Sequence, residues 1–113
     1  MLKKQNRLRK TNEFKRAFRS GKGYEAKGIL VKTRISGETN ARVGVIVSKK
    51  VAKEAVRRNR IRRMVSEAVQ EMLPELKNDR DVVVVTLPTF MAKKTHETAS
   101  IIKEVFRKAS LFK

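Results

Sequence analysis

The side chains with the clearest chemical potential are cations, concentrated between residues 49 and 63 in the segment KKVAKEAVRRNRIRR. Eight lysines and arginines stand there against a single acid, Glu54. On a helix, Lys53, Arg57 and Arg60 form one stripe, where like charges repel unless a polyanion neutralises them. A solvated basic face is the alternative, although ordinary surfaces mix both signs of charge. The pattern favours binding to nucleic acid.

Phe14 and Phe18, one helical turn apart, are a second candidate site. They stand among Lys15, Arg16 and Arg19, and they are two of only five phenylalanines in the chain. Apolar residues at this spacing usually pack into a core. Aromatic rings interleaved with cations also stack single-stranded bases. The residues themselves leave both interpretations open.

The chain offers no group typical of an enzyme's own active site. His96 is the single histidine, cysteine is absent and the carboxylates are scattered. Asp79 and Asp81 precede a strand, a placement more typical of a turn than of a metal site, and Glu67 and Glu71 are expected to pair with nearby bases. No Cys/His cluster has zinc spacing, and no Gly-rich phosphate loop is present. We therefore expect neither catalytic residues nor metal ligands in this chain.

The charge balance limits the classes of partner. The 113 residues carry 29 Lys and Arg against 11 Asp and Glu, a formal net charge of +18. A domain this basic repels itself, and its usual counterpart is nucleic acid or an anionic membrane. The longest aliphatic run, Val82–Val85, is far too short to span a bilayer, and no apolar secretory stretch follows the basic start. We expect a cytoplasmic protein with no membrane partner.

The length of 113 residues predicts a single domain over residues 1–113, which its charge makes a candidate to bind nucleic acid such as RNA. The loop after the first strand is short and polar, so an antiparallel hairpin between the first two strands is expected. The middle helix has a core stripe through Ile61, Val65, Ala68 and Met72, which anchors its cationic first half. The predicted elements in chain order are a basic arm with little core over residues 1–10, a helix from Thr11 or Asn12 to Ser20-Gly21, strands over Gly23–Ile35 and Arg42–Ser48, a helix from Lys49 to Leu73, a strand over Asp81–Leu87 and a helix from about Lys94 to Ser110.

The segment VGVIVSKKVAKEAVRRNRIRRMVSEAV closely resembles the signature of the bacterial ribonuclease P protein subunit, whose hallmark is an Arg-Asn-Arg motif, here Arg58-Asn59-Arg60. The opening NRLRKTNEFKRAFRSG and the ending FRKASLFK are similar to the family as well. The resemblance implies a small single-domain α+β sandwich of order α-β-β-β-α-β-α, a fold shared with a domain of one ribosomal protein. It also implies that residues 23–35 divide into two strands, and that the βαβ crossover around the basic helix is left-handed. Sequence pattern alone predicts a right-handed crossover.

The resemblance also implies a function, the 5′ maturation of precursor tRNA by a catalytic RNA subunit that itself holds most of the required Mg²⁺. The protein is expected to bind this RNA and the 5′ leader of precursor tRNA, and not DNA. The leader-binding residues implied are Phe14, Phe18 and Lys32. The residues implied to bind the catalytic RNA are Lys49, Lys50, Lys53, Arg57, Arg58, Asn59, Arg60, Arg62 and Arg63.

Two positions depart from the family pattern. Lys32 stands where an aromatic residue is frequent, which predicts an ionic leader contact, and Ser66 stands where a basic residue is usual, which removes one phosphate contact. Charge and size alone also suit a ribosomal or general RNA-binding protein, or a DNA-binding architectural protein. Stacking aromatics favour single-stranded RNA over B-DNA, because duplex bases do not expose their faces.

Overall fold

The computed structural model describes residues 2–20, 23–91 and 94–113. The described helices and strands follow the order α-β-β-β-α-β-α, which confirms the order that the family resemblance implied. The predicted helix stop at Gly21 lies outside the described residues. The elements are α1 (Thr11–Ser20), β1 (Gly23–Ala26), β2 (Ile29–Ile35), β3 (Arg42–Val47), α2 (Ala55–Met72), β4 (Arg80–Thr86) and α3 (Thr95–Lys108), with single 3-10 turns at Lys4–Asn6 and Leu73–Glu75.

The strands form one sheet in the order β1-β2-β4-β3. The predicted hairpin between β2 and β3 is therefore wrong, because β4 lies between them, antiparallel to β2 and parallel to β3. The apolar run Val82–Val84 is fully buried, and a central strand covered on both faces is where such a run is stable. β3 and β4 are parallel neighbours joined through α2, as a βαβ unit requires. The left hand of this connection stays a prediction.

The real hairpin joins β1 to β2 and divides the stretch 23–35 as the resemblance implied. Ala26 pairs with Ile29, so Lys27 and Gly28 form a two-residue loop. Both have positive φ, 47° and 89°, the signature of a type I′ turn. A Cβ on Gly28 would lie 2.4 Å from the backbone of Phe90, so only glycine fits there.

Residues 2–10 pack against the sheet and contribute more core than the sequence indicated. Leu2 and Leu8 are buried. The Leu8 amide donates to the Val43 carbonyl (3.1 Å), and the Asn6 side-chain amide donates to the Ala41 carbonyl (2.9 Å). The segment therefore covers the outer edge of β3, which would otherwise expose unpaired backbone groups.

Helix α2 begins six residues later than predicted, at Ala55 instead of Lys49. The chain leaves β3 at Val47 and first makes a turn in which the Val51 amide donates to the Ser48 carbonyl (3.1 Å). Helix propensity alone places no helix start, because the route from the sheet edge to the helix axis is a tertiary property. The predicted core stripe is confirmed, since Val65, Ala68 and Met72 are buried and Ile61 packs against the core.

The sheet is covered unequally on its two faces. Helices α2 and α3 cover one face, where Val31, Val43 and Val84 meet Phe106 in the main core. The ten-residue helix α1 lies on the other face, where Ala17, Val83 and Leu8 of the N-terminal segment are buried in a smaller cluster. Half-buried apolar residues of the sheet therefore remain beside α1, namely Leu30, Ile46 and Val85.

Candidate nucleic-acid interface

The basic segment, residues 49–63, lies at the entrance to α2 and along its first turns. Lys49, Lys50 and Lys53 precede the helix, so the predicted stripe through Lys53 is wrong and only its helical members share a face. Most of these cations are exposed, and Arg58 and Arg62 are half-buried. A turn and a helix start thus present one continuous stretch of cations. The exposed cations are Lys49, Lys50, Lys53, Arg57, Arg60 and Arg63, and the neutral Asn59 is exposed among them.

Arg58, the first residue of the Arg-Asn-Arg motif, is bound to its own loop. Its Nη1 donates to the Ala52 carbonyl at 3.0 Å and to the Lys53 carbonyl at 2.6 Å. Glu54, the N-cap of α2, makes no side-chain capping bond. Arg58 therefore connects the loop to the helix in place of a side-chain cap. Part of its guanidinium is hydrogen-bonded within the protein.

Asn59 also has a partner within the motif. Its Oδ1 accepts a hydrogen bond of 2.7 Å from Nη1 of Arg62, one helical turn away. The bond orients the Arg62 guanidinium along the exposed face of α2, whereas Arg60 and Arg63 have no hydrogen bond or ion pair within the described part of the chain. Arg57 is likewise exposed and has no such contact among the described residues, so Arg57, Arg60 and Arg63 are the arginines best placed to meet phosphates.

Farther along α2 the surface changes. Ser66 is buried, with 7% of its surface exposed, so a basic residue at this position would not simply extend the exposed stripe. Glu67 and Glu71 were expected to pair with nearby bases, and this is wrong, because neither makes an ion pair with any described residue. The cationic surface therefore ends near Arg63.

The two phenylalanines of α1 have different environments. The Phe14 ring is half-buried and lies directly over Gly44, where an added Cβ would be 2.2 Å from its Cε1. The Phe18 ring is 40% exposed, and Nζ of Lys32 lies 4.5 Å from its centroid. The same ammonium donates to the Phe18 carbonyl (3.2 Å). Phe14 thus packs chiefly against the sheet, while Phe18 offers an aromatic surface at the open side of that face.

A charge network at one end of the same face was missed by sequence reasoning. Asp81, 1% exposed, accepts two hydrogen bonds of 2.8 Å from Arg42 and lies 4.0 Å from Nε of Arg34. Arg42 also pairs with Glu13 of α1. The expectation of turn chemistry at Asp81 is therefore wrong, because its side chain is buried and bound to Arg42 across the sheet. The only local sign of this network in the sequence was an acidic residue at the start of an apolar strand.

The network shifts the pKa values of two of its members. Backbone hydrogen bonds from Lys10 and Arg9, reinforced by Arg42, hold the pKa of the Glu13 carboxyl below its usual value. Hydrogen bonding to Asp81 is the main cause that raises the pKa of Arg42. Glu13 and Arg42 are therefore charged near neutral pH, and their contact holds α1 by a charge-assisted bond.

Metal and general acid–base chemistry find little support in the described residues. Nowhere within residues 2–20, 23–91 and 94–113 do three or more His, Cys, Asp or Glu side chains gather as metal ligands would. His96 is exposed in the first turn of α3. None of the helices in the described ranges has the length and apolar character needed to cross a membrane.

Comparison with known proteins agrees with this architecture. The sequence profile of the Ribonuclease P family matches residues 2–110. The chain belongs to the ribonuclease P protein family. It is 34% identical to the ribonuclease P protein component of Pseudanabaena sp. (strain PCC 6903), with 98% of this chain and 97% of that protein covered. It is also 34% identical to the protein component of Clostridium acetobutylicum, over 96% of this chain and 92% of that protein.

Solved structures of ribonuclease P proteins share the fold. A mutant of the Staphylococcus aureus protein superimposes with a TM-score of 0.87 at 25% identity, covering 96% of this chain and 92% of that one. The Thermotoga maritima protein superimposes with a TM-score of 0.80 at 24% identity, covering 90% of this chain and 96% of that one. These likenesses confirm the α+β class of the fold. The residues that bind RNA in this ribonuclease P protein stay a prediction.

Proposed function

We propose that this chain, as the protein subunit of ribonuclease P, binds the catalytic RNA through the basic segment and the 5′ leader of precursor tRNA beside α1. On this proposal it promotes RNA-catalysed removal of the leader in the cytoplasm, and the RNA subunit holds most of the Mg²⁺. One observation carries the division into two sites. The exposed Phe18 ring lies on the α1 face of the sheet, whereas the free arginines lie on α2, which packs on the opposite face.

The basic segment supplies fixed positive charge for RNA phosphates. Arg60 and Arg63 are exposed and unpaired within the described residues, and Arg62 is held by Asn59. Guanidinium groups suit phosphate because their planar donors bind its oxygens in pairs. Such contacts set affinity and register without reading base sequence, as a subunit that accompanies one structured RNA requires.

The α1 face supplies a surface for an unpaired strand. Phe18 presents an aromatic ring, Lys32 places a cation beside it, and the half-buried Leu30, Ile46 and Val85 form an apolar floor. Stacking tolerates any base, since every base has a π-face. A surface of this kind accepts leaders of differing sequence, which fits an enzyme that must process many precursor tRNAs.

The test compares variants of the two surfaces in holoenzyme assembled with the catalytic RNA. Arg60→Ala should weaken assembly for every substrate alike, with a loss that shrinks as salt is lowered, because the contact is electrostatic. Phe18→Ala should leave assembly intact and weaken the binding of leader-bearing precursor by roughly 1–3 kcal/mol, while hardly changing the binding of mature tRNA. Phe18 is the sharper choice than Phe14, whose truncation also removes packing against Gly44.

Controls separate these effects from general losses of charge or stability. Arg107→Ala removes one exposed cation from α3 and should leave both affinities unchanged. Thermal melts establish that each variant is folded. The proposal is contradicted if folded Phe18→Ala retains the wild-type difference between leader-bearing and leaderless tRNA. It is contradicted equally if Arg60→Ala loses leader discrimination while it assembles normally.

A further inference from the structure

Helix α1 contains Phe14 and Phe18. The carboxylate of Glu13 attaches the start of this helix to the sheet. Oε1 of Glu13 accepts hydrogen bonds from the amides of Arg9 (3.2 Å) and Lys10 (3.1 Å), which caps the helix. Oε2 of the same side chain binds Nη1 of Arg42, the first residue of β3. Glu13 therefore links the beginning of α1 to the outer parallel strand of the sheet.

Hydrogen bonds to Asp81 hold Arg42 in place, so Glu13 joins α1 to a side chain with a fixed position. Asp81 holds its Nε and Nη2 at 2.8 Å each in a paired, planar contact. Arg34, Asp81 and Arg42 occupy one row across β2, β4 and β3 in the strand register. Asp81 is buried and receives both of its side-chain hydrogen bonds from Arg42, so moving Arg42 would leave it only the 4.0 Å contact with Arg34.

The other end of α1 is fastened to β2 by Lys32. Its ammonium donates to the Phe18 carbonyl (3.2 Å) while it lies 4.5 Å from the centre of the Phe18 ring. A cation at the end of a helix complements the partial negative charge of the last carbonyls. One side chain thus holds both the backbone and the ring of Phe18.

Few apolar side chains of α1 pack against the sheet. The helix has ten residues, and its contacts with the smaller core come from Phe14 and the fully buried Ala17. A helix this short is marginal by itself, and its orientation depends on tertiary contacts. The two polar contacts, one at each end, are therefore well placed to fix the position of the helix.

We propose that Glu13 and Lys32 are positioning residues that fasten the two ends of α1 to the sheet and so hold the Phe18 ring where a base of the single-stranded leader stacks. This inference rests on the proposed leader site. It assigns Lys32 a role through Phe18, in place of a direct ionic contact with a leader phosphate. It also connects the Arg34–Asp81–Arg42 row, in which Asp81 is buried, to substrate binding, although none of its members need touch the RNA.

Double-mutant cycles with Phe18→Ala test the proposal in the assembled holoenzyme. Glu13→Gln keeps an oxygen for the two amides and removes only the charge facing Arg42, and Lys32→Met removes the ammonium while it keeps the chain length. Each single variant should lower affinity for leader-bearing precursor by roughly three- to tenfold, the scale of coupling between side chains in contact. In the Phe18→Ala background each should have almost no further effect. Glu97→Gln and Lys103→Met on α3 repeat the same charge changes at exposed positions and should be silent.

Further measurements distinguish the outcomes. Lys32→Arg, which retains a cation over the ring, should recover leader affinity, and the salt dependence of leader binding should be the same for wild type and Lys32→Met. A Lys32→Met effect that persists without the Phe18 ring and lowers the salt slope by about one indicates a direct phosphate contact and overturns the proposal. Equal leader affinity for wild type, Glu13→Gln and Lys32→Met also overturns it. If Phe18→Ala alone changes nothing, the leader site itself is wrong, which is a separate failure.

Discussion

At the scale of single residues, the Arg-Asn-Arg motif and its neighbours divide into two groups. Arg58 binds the carbonyls of Ala52 and Lys53, and Asn59 binds Arg62, so these side chains organise the segment. Arg60 and Arg63 make no such bonds within the described residues and project into solvent. Identical residue types in one short motif therefore have different physical tasks.

This division predicts different failures for neighbouring arginines. Arg60→Ala should leave the melting temperature unchanged and reduce the slope of log affinity against log salt by about one, because one phosphate contact is lost. Arg58→Ala should lower the melting temperature, since two loop carbonyls lose their donor, at a cost of about 1 kcal/mol. Salt titration of catalytic-RNA binding and thermal melts measure both quantities. Indistinguishable behaviour of the two variants would contradict the division.

At the scale of elements, the docking of α1 on β3 depends on a glycine in the middle of a strand. The Phe14 ring occupies the space that a side chain at Gly44 would fill. A strand glycine often marks such a close approach. The position of α1, and hence of Phe18, thus depends partly on the lack of a side chain at Gly44.

Gly44→Ala should displace the Phe14 ring and destabilise the protein by about 1–3 kcal/mol, as overpacking does. It should also weaken leader binding if α1 shifts. Gly23→Ala is the matched control, because an added Cβ there meets Leu30 at an ordinary 3.4 Å. Denaturant unfolding of both variants measures the difference, and equal stability of the two would show that Phe14 moves aside at no cost.

The contact between Glu13 and the sheet should also depend on pH. The pKa of Glu13 is lowered in the folded state, so its stabilising contribution is fully present above the ordinary pKa of a glutamate. The contribution is lost as the pH falls through the lowered value. The stability difference between wild type and Glu13→Gln should therefore be largest near neutral pH and smaller at an acidic pH below the ordinary pKa of a glutamate. Urea unfolding at both pH values tests this, and a difference that grows on acidification would have the wrong sign.

At the scale of the whole molecule, a net charge of +18 on 113 residues makes binding electrostatic. Each phosphate neutralised releases counterions, so affinity falls steeply with salt. About six contacts from the basic segment predict a loss of roughly a thousandfold in affinity for the catalytic RNA between about 50 and 200 mM salt, by analogy with duplex DNA. Filter binding across this range measures the slope. A nearly flat dependence would mean that the basic segment is a solvated surface.

The whole chain should have no nuclease activity by itself. The described residues contain no cluster of acids that could gather metal ions for hydrolysis. Protein freed of RNA by nuclease treatment should therefore leave precursor tRNA intact in Mg²⁺ or Mn²⁺, and adding the catalytic RNA should restore cleavage. Robust cleavage by the RNA-free protein would contradict the assignment of catalysis to the RNA.

Local patterns in the sequence were sufficient for several features. Period-two and helical hydrophobic patterns identified the three helices and the strands β2 and β3, because burial of one face repeats every few residues, and the continuous β-branched run identified β4. The cluster of cations in residues 49–63 and the spacing of Phe14 and Phe18 were equally visible, since they require no knowledge of distant contacts. The Arg-Asn-Arg resemblance then supplied the family and the division of β1 from β2.

Only the tertiary structure decided which distant segments meet. Strand order depends on pairing between segments that are far apart in sequence. The apolar β4 lies between β2 and β3, the two strands that their short connecting loop predicted to pair as a hairpin. The same non-local packing set the start of α2 at Ala55, buried Leu2 and Leu8, and joined Glu13 to Arg42 and Asp81. Charge and periodicity are properties of neighbours in sequence, whereas these contacts exist only because the sheet brings residues from opposite ends of the chain together.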